Sequence, residues 1–499
     1  MARLVRSGDV ELPVQMRTAR GMKFVCGAAA SLLALPLLAG WEVTVLETEY
    51  SSALSVRGAE VVGSVRVGSR DHASIFGSSP GSWIDLTPPA FIRAVCNGTD
   101  GTRQVGYVLA PGATSPRASL WSGTVGSWVD LGEGAAAAID GDIQVGGVSS
   151  TACLWRGSVQ SRVILEPIGA SNSAALGVSG NEQVGYVGIQ GAERASLWRG
   201  TRESWRDLHP QWALSSYAHG THGGQQVGYT ISEGPINDLV RACVWTGTRE
   251  SWRSLHPAWS ELSGCNGVDE GRQVGSFMEP VTGSNHASMW SGTIESMEDL
   301  HQYLPPEYQG FASGSSAHGI DVNQNGLVRI VGRADEDAVI WTRQFDLIYA
   351  TTMSVQPGVL ISGNLVSLQN SDDDKLRASP GIVFSISVPP VQVTVEGTSP
   401  SSDPASLDFV FDGAVSSPSV EHSIQFYNFE SGQFETLYQR FGSTVDTYAL
   451  ASATGDVSRF VEPGTRRVRA KMTYRVLAPV FAYPWRVEID RGIWMISQD

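Results

Sequence analysis

The chain alternates between short apolar runs and polar or glycine-rich breaks, and one such pattern recurs seven times. Each copy holds a Val-Gly pair inside a strand-like run, followed by a small-apolar-aromatic phrase. No stretch sustains the periodicity of an amphipathic helix, so the pattern predicts short strands throughout. The pairs begin at Val62, Val105, Val145, Val184, Val227, Val274 and Val331, and the phrases end at Phe76, Trp121, Trp155, Trp198, Trp245, Trp290 and Trp341.

Successive Val-Gly pairs lie 39 to 57 residues apart, a spacing typical of four-stranded propeller blades. Each copy is interpreted as an Ala/Gly-rich opening strand, the Val-Gly strand, the aromatic phrase and a Trp-x-Asp-Leu segment. Small residues suit the crowded axis of a propeller, so the opening strand is predicted innermost and the Trp-x-Asp-Leu strand outermost. The predicted fold class is all-β, with a seven-bladed β-propeller over residues 41–345.

The seventh copy lacks a clear fourth strand, and the start of the chain offers one. Residues 41–46, beginning with Trp41, resemble the missing Trp-x-Asp-Leu strand. A ring whose ends do not pair leaves two exposed edges that invite aggregation. We therefore predict that this segment pairs antiparallel with residues 338–341, the alternative being an open solenoid.

The phrases also carry a family resemblance. Their order, Ala-x-Gly-Val, Gly-x-Gln-Val-Gly, His/Arg-Ala-x-x-Trp and Asp-Leu, resembles the bacterial extracellular HAF-type repeat over about residues 41–343. The Phe of the His-Ala-Phe signature is replaced here by Ser, Cys or Val. The resemblance implies a propeller-like fold and brings no activity with it.

The composition changes after Arg343. The Val-Gly and Trp-x-Gly phrases stop, and longer alternating strands separated by Pro/Ser-rich turns begin. This pattern predicts an antiparallel β-sandwich over residues 346–499. Residues 426–429 and 455–465 resemble an uncharacterised C-terminal module of secreted bacterial repeat proteins, to which no activity is attached.

The first 40 residues are interpreted as a signal peptide, with Met22 as an alternative start. Arg17, Arg20 and Lys23 precede an apolar segment at 24–38, and Ala39-Gly40 supplies small residues for cleavage. An uncleaved anchor is the alternative. We expect a secreted or extracellular protein, with the periplasm as the second choice.

The net charge limits the partners. The chain carries a formal charge of −15, and its first 40 residues hold more basic than acidic groups, so the remainder is more acidic still. An acidic surface argues against nucleic acid. We expect an unidentified protein or glycan ligand, no membrane insertion of the mature chain, and a monomer.

Four cysteines follow the signal segment: Cys96, Cys153, Cys243 and Cys265. They occupy equivalent positions of different copies, so most pairs should be too far apart for a disulfide. All four are interpreted as small buried hydrophobic residues, with a Cys243–Cys265 bridge as the alternative.

Candidate chemistry is sparse, and no catalytic, cofactor-binding or metal-ligating residue is assigned. His219 and His222 form the densest histidine pair and are interpreted as core and turn residues. Residues 321–326 imitate half of a calcium loop, but Gly332 stands where its bidentate Glu belongs, so a structural turn is favoured.

One blade has been duplicated nearly intact. Residues 201–212 recur at 248–259 with ten of twelve positions identical, which places Trp212 and Trp259 on the same face of neighbouring blades. The favoured interpretation packs both rings between blades. Exposed rings would instead suit stacking on a sugar or an aromatic group.

The predicted function is a non-enzymatic binding or structural scaffold, and the alternative is a propeller hydrolase or lyase at the axial channel. Acidic and His side chains from three or more blades, meeting at one channel mouth, would rule out the non-enzymatic scaffold. A mouth lined by Ser, Thr, Gly and apolar residues would argue against the enzyme.

Overall fold

The computed structural model describes residues 40–48, 50–234, 238–385, 387–477 and 485–498. The chain is all-β, as the sequence predicts, with a seven-bladed propeller followed by a two-sheet sandwich. Residues 1–39 of the predicted signal peptide lie outside the described residues. Within the described chain, no helix has the length and hydrophobicity needed to cross a bilayer.

Each blade is one antiparallel four-stranded sheet whose strands run in order from the channel to the rim. Blades 1 to 3 comprise Ser51–Arg57, Glu60–Val67, Arg70–Phe76 and Trp83–Asp85; Arg93–Thr99, Gln104–Leu109, Arg117–Trp121 and Val129–Glu133; and Ala135–Asp140, Ile143–Val148, Thr151–Trp155 and Val163–Ile164. Blades 4 and 5 comprise Asn172–Ser179, Glu182–Ile189, Ala192–Trp198 and Arg206–Asp207; and Ser215–His222, Gln225–Ser232, Leu239–Trp245 and Arg253–Ser254. Blades 6 and 7 comprise Ser263–Asp269, Arg272–Met278, Asn285–Trp290 and Glu298–Asp299; and Ser315–Val322, Leu327–Ala334, Asp337–Gln344 and Glu42–Glu47.

The radial order of the strands follows residue size, as predicted. The seven opening strands line a central cavity of about 200 Å³. The tryptophans that end the third strands of blades 2 to 7 are fully buried between the blades. The four cysteines are free and buried, as predicted, which excludes the alternative bridge between Cys243 and Cys265.

The N-terminal strand closes the ring in the predicted place. Glu42–Glu47 pairs antiparallel with Asp337–Gln344, with Val43 opposite Trp341 and Val45 opposite Val339. Trp41 is buried beside this strand, and its Nε1 donates to Glu298 Oε1 at 3.0 Å. Both edges of the ring are thereby paired.

The repeated Val-Gly glycine is required by a bulge in every inner strand. Each inner strand shifts register next to this glycine, for example between Cys96 and Gly98 opposite Gly106. A Cβ on Gly106 would lie 1.9 Å from the carbonyl oxygen of Val95, so no side chain fits. The same close approach, within 2.0 Å, occurs at Gly63, Gly146, Gly185, Gly228, Gly275 and Gly332.

The other repeated polar residues also hold the scaffold together. The Gln before Val-Gly accepts from the glycine N–H of the following Trp-x-Gly turn at 2.7–2.8 Å in blades 2 to 6. A His or Arg of the third strand bonds the Asp of the outer strand 13 residues later, in the pairs His72–Asp85, Arg117–Asp130, Arg194–Asp207 and His286–Asp299. A serine of the next inner strand accepts from a third-strand alanine N–H, linking neighbouring blades at Ala338–Ser51, Ala152–Ser173, Ala195–Ser216, Ala242–Ser263 and Ala287–Ser315.

The C-terminal sandwich consists of two packed sheets with a core of buried apolar side chains, including Phe409, Phe426 and Trp494. One sheet has the order Val359–Ser362, Leu376–Ser379, Val487–Ser497, Ser406–Val415 and Thr447–Ser452, and Asp346–Ile348 also pairs with Val487–Ser497. The other has the order Thr352–Val355, Val391–Thr398, Arg467–Val476, Val420–Asn428 and Gln433–Phe441. Short 3₁₀ turns occur at Val125–Ser127, Val159–Ser161, Arg202–Ser204, Arg249–Ser251, His301–Tyr303, Pro306–Tyr308, Val366–Leu368 and Val457–Phe460.

The sandwich packs against one side of one face of the propeller. The inner strands end at this face, and the hairpin turns of blades 5 to 7 contact the sandwich there, as when Gly223 O accepts from the Tyr448 N–H at 3.0 Å. We call it the docked face. The opposite face, where the inner strands begin and the loops bearing Trp212 and Trp259 lie, is called the Trp face.

Candidate functional site

At the docked face, the channel mouth gathers charged side chains from four blades. His222 Nδ1 lies 2.8 Å from Asp269 Oδ1, and Arg57 lies 3.9 Å from Asp269 and 3.8 Å from Asp321. These residues come from blades 5, 6, 7 and 1, at the ends of the inner strands. The mouth therefore meets the condition that the sequence analysis set in favour of the enzyme.

Burial and charge act against each other within this cluster. Burial alone would raise the pKa of Asp269, but His222, the Val322 N–H and Arg57 outweigh it, and the pKa lies below its ordinary value. Burial would lower the pKa of His222, yet Asp269 raises it above the ordinary value. Burial raises the pKa of Asp321. The His222–Asp269 pair is thus favoured as an ion pair.

The mouth carboxylates also join neighbouring blades. Asp269 Oδ2 accepts from the Val322 N–H of blade 7 at 2.7 Å, and Asp140 Oδ2 accepts from the Gly180 N–H of blade 4 at 2.5 Å. The backbone of Gly58 in blade 1 lowers the pKa of Asp321, against the larger effect of burial. A carboxylate that satisfies the backbone of the next blade has a structural role, whether or not it also takes part in chemistry.

Deeper in the channel, the bulge residue of each inner strand lies on the cavity wall. Leu54, Ala137 and Leu176 present apolar groups, whereas Asn97, His219, Asn266 and His318 present polar ones. Three of the polar side chains bond a carbonyl of the following blade, at Asn97–Ala136, Asn266–Ala317 and His318–Ala53. Burial lowers the pKa of His219 to about 4, so it is neutral near pH 7. His219 therefore lies on the channel wall and not in the core, and His222 ends the inner strand at the channel mouth and does not lie in the following turn, so both interpretations were wrong in place.

Metal-binding geometry is not seen in the described chain, where no three His, Cys, Asp or Glu side chains are arranged to hold an ion. The calcium-like segment forms a turn, as the structural interpretation predicts. Asn323 Oδ1 accepts from the N–H groups of Asn325 and Leu327 at 2.9 and 3.0 Å.

The contact between the domains is charged and buried, which the sequence did not predict. Arg272, fully buried, donates to Asp408 at 2.6 Å, and Arg491 donates to Glu270 at 2.6 Å. Tyr448 stacks on His222 with ring centroids 5.6 Å apart, so the sandwich reaches the channel mouth. Arg also stands two residues before the Val-Gly pair at Arg103 and Arg329, so the sequence carried no signal that Arg272 would be buried.

The two duplicated tryptophans are half exposed, so the favoured prediction that they pack between blades is wrong. Trp212 is 49% exposed and Trp259 is 54% exposed. The space between the blades is already filled by the buried Leu208 and Leu255. Each ring instead leans with its edge on a neighbour, Trp212 on Trp252 at 4.7 Å and Trp259 on Phe277 at 5.2 Å.

The histidines of the two His-Pro-x-Trp loops support these rings. His209 Nδ1 bonds Ser216 Oγ at 2.8 Å, and His256 Nδ1 bonds Ser263 Oγ at 2.8 Å. Burial lowers the pKa of both imidazoles, to about 4 for His256. The serines belong to the links between blades, so both loops are anchored to the scaffold from which the rings project.

No protein-family model matches the chain, and no curated protein matches its sequence. Among solved structures, it is similar to the β-propeller domain of the trilobed protease from Pyrococcus furiosus, at 12% identity and TM-score 0.41, over 59% of this chain and 94% of that one. It is also similar to a mutant family 29 carbohydrate-binding module, at 9% identity and TM-score 0.20, over 31% of this chain and 94% of that one. A mutant puromycin hydrolase matches at 14% identity and TM-score 0.32, over 46% of this chain and only 40% of the hydrolase.

Proposed function

We propose that the protein is an exported binding scaffold of the HAF-type repeat class, which contacts a glycan or protein ligand through the loops of its Trp face. Export and repeat class are inferred from the sequence. The face is inferred from the exposure of Trp212 and Trp259.

The observation that carries this proposal is the pair of half-exposed rings on equivalent loops of neighbouring blades. A tryptophan face that projects into solvent offers a large, rigid apolar area, which suits stacking on a sugar ring or an aromatic group. The anchored loops hold both rings in place, so little conformational entropy is lost on binding.

The repeated polar residues support the same proposal, because their hydrogen bonds already hold the blades together. The Gln, the His or Arg, the Asp and the Ser of the repeat are engaged in bonds within or between blades. Ligand specificity must then come from positions that are not shared by all blades. The two His-Pro-x-Trp loops, which follow the outer strands of blades 4 and 5, are such a place.

A glycan array and a pull-down with the mature protein test the proposal, using Trp212→Ala, Trp259→Ala and the double variant. Tyr349→Ala, which removes an exposed ring from the C-terminal domain, is the matched control. We expect each single variant to weaken binding at least fivefold and the double variant to abolish it. Binding that survives the double variant would place the ligand elsewhere.

A second candidate function has its own observation. The His222–Asp269 pair with Asp321 at the channel mouth is the arrangement expected of a propeller hydrolase or lyase, with His222 as the proton-transfer group. Ligands found on the array should then be cleaved on prolonged incubation, and His222→Gln should stop cleavage without stopping binding. Intact ligands after incubation with the unaltered protein would remove this candidate.

A further inference from the structure

The C-terminal sandwich has an edge strand, Val359–Ser362, whose side chains are all exposed. Val359–Ser362 ends its sheet and pairs only with Leu376–Ser379 among the described residues. All four of its side chains are exposed. Its outer backbone groups are therefore free to extend the sheet with another strand.

Apolar side chains surround this edge. Leu360 is 44% exposed, and the neighbouring loop adds Ile382 at 86% and Phe384 at 101%. The loop lies against the strand, since a Cβ on Gly381 would be only 2.6 Å from the Gly358 nitrogen. We call the group Val359, Leu360, Ile361, Ile382 and Phe384 the apolar edge patch.

The patch lies in a part of the chain without charge. Residues 347–371 and 378–395 contain no Asp, Glu, Lys, Arg or His, although 17% of the whole chain is charged. Charges enter with residues 372–377, where Arg377 lies opposite Ser362 and pairs with Glu488. In an acidic protein, an edge with so few charges lowers the repulsion between two copies. The strand Val359–Ser362 itself holds no Lys or Pro, the residues by which proteins usually protect edge strands, and Pro357 stands two positions before it.

Other edges are less suited to pairing. The outer strands of blades 1 to 6 are two to five residues long. Gln433–Phe441, at the edge of the second sandwich sheet, carries Glu435 and Arg440, and Arg440 donates to Gly292 O of the propeller. Thr352–Val355, the other edge of that second sheet, is uncharged, but its exposed side chains are the polar Thr352 and Ser354. Val359–Ser362 differs from these edges because it exposes three apolar side chains.

We propose that a second copy of this chain docks on the apolar edge patch, with the two Val359–Ser362 strands pairing antiparallel across a two-fold axis. An edge strand that meets itself antiparallel presents the same patch on both sides, as a two-fold interface requires. The sheet would continue from one copy into the next, and Phe384 would become buried. This proposal replaces the monomer expected from composition and does not depend on the proposed function.

Sedimentation velocity and light scattering over a concentration series test the proposal. The unaltered protein should be a concentration-dependent dimer, and Leu360→Lys should raise the dissociation constant at least tenfold. Phe384→Ser, in the loop rather than the strand, should do the same, so a folding defect of the strand variant cannot mimic the result. Ile168→Lys places the same charge on an exposed apolar site of the propeller and should leave the dimer intact.

Two results would overturn it. The unaltered protein could remain monomeric at every concentration reached, which would mean that the edge does not pair with itself. Alternatively, a dimer could persist in both Leu360→Lys and Phe384→Ser, or be lost in Ile168→Lys, which would place the interface elsewhere.

Discussion

The two faces of the propeller use the same repeat in opposite ways. At the docked face, turns between inner and second strands carry charged groups that pair with each other and with the sandwich, such as Arg272 with Asp408. At the Trp face, loops between outer and inner strands project Trp212 and Trp259 into solvent. The polar groups of the docked face bond to each other and to the sandwich, whereas the two tryptophan rings of the Trp face remain exposed to solvent.

The difference shows where a repeat protein can specialise. Residues shared by the blades, such as the Val-Gly glycine, are needed for each sheet to form and cannot vary without loss of the fold. Turns and loops at the two ends of the sheets are under no such constraint. One set has become a domain interface, and the other is free for a ligand.

Removing the closing strand should affect both faces most severely, because both depend on a closed ring. Deletion of residues 41–48 removes the ladder to blade 7 and the buried side chains of Trp41 and Leu46, each worth about 1.5–3 kcal/mol. Against a typical total of about 5–15 kcal/mol, the truncated protein should aggregate or melt far lower. Thermal unfolding and size-exclusion chromatography measure this. A monomer with an unchanged midpoint would contradict closure by this strand.

Next in size, breaking the interdomain ion pair should cost about 3–5 kcal/mol, because Arg272→Met leaves the buried Asp408 without its partner. Arg117→Met, which breaks the exposed pair with Asp130, is the control and should cost less than about 1 kcal/mol. Urea unfolding of both variants gives the comparison. Equal effects would mean that the docked face is held by apolar contacts alone.

The His222–Asp269 pair should make stability depend on pH, by about 1.5–3 kcal/mol for a charge-assisted bond. The raised pKa of His222 stabilises the fold below pH about 6.5, and this is lost as the pH rises through the folded value. The lowered pKa of Asp269 stabilises above pH about 3.9, and this is lost as the pH falls through its folded value. His222→Asn should therefore cost most between these limits and progressively less as the pH rises through the folded pKa of His222.

His219→Asn is the matched control for that pH profile. Burial lowers the pKa of His219 to about 4. Below pH about 6.5 the unfolded chain binds a proton at His219 that the folded chain does not, so this histidine destabilises the fold increasingly as the pH falls. Its removal should help most in acid, which is opposite to the effect at His222. Parallel profiles for the two variants would show that the His222–Asp269 ion pair does not form.

The smallest change is expected at the Trp face. Trp212→Ala loses an edge-to-face contact with Trp252 and partial burial, which should lower the free energy of unfolding by about 1 kcal/mol. Circular dichroism melting measures it. A loss comparable to that of Arg272→Met would show that the ring is part of the core, in conflict with a binding role.

The sequence predicted what repetition encodes. Seven copies gave the blades and the radial order, and the resemblance of residues 41–46 to a fourth strand gave the partner of Asp337–Gln344. The bond between Arg272 and Asp408, 136 residues apart, could not be predicted because it depends on how two domains dock. The exposure of Trp212 was misjudged because the buried Leu208, four residues earlier, had already filled the space between the blades.

Ring closure has a consequence for how the chain acquires its structure. The strand Glu42–Glu47 is made first, yet its partner lies some 300 residues later, as the bond between Thr342 Oγ1 and Glu42 O shows. Until blade 7 exists, this apolar strand has no place in any sheet. Contacts of such long sequence separation form slowly, because the chain loses loop-closure entropy before the contact stabilises it. The ring is thus completed by the strand that precedes all its other strands in the chain. A chain interrupted before blade 7 would leave both ends of the ring open.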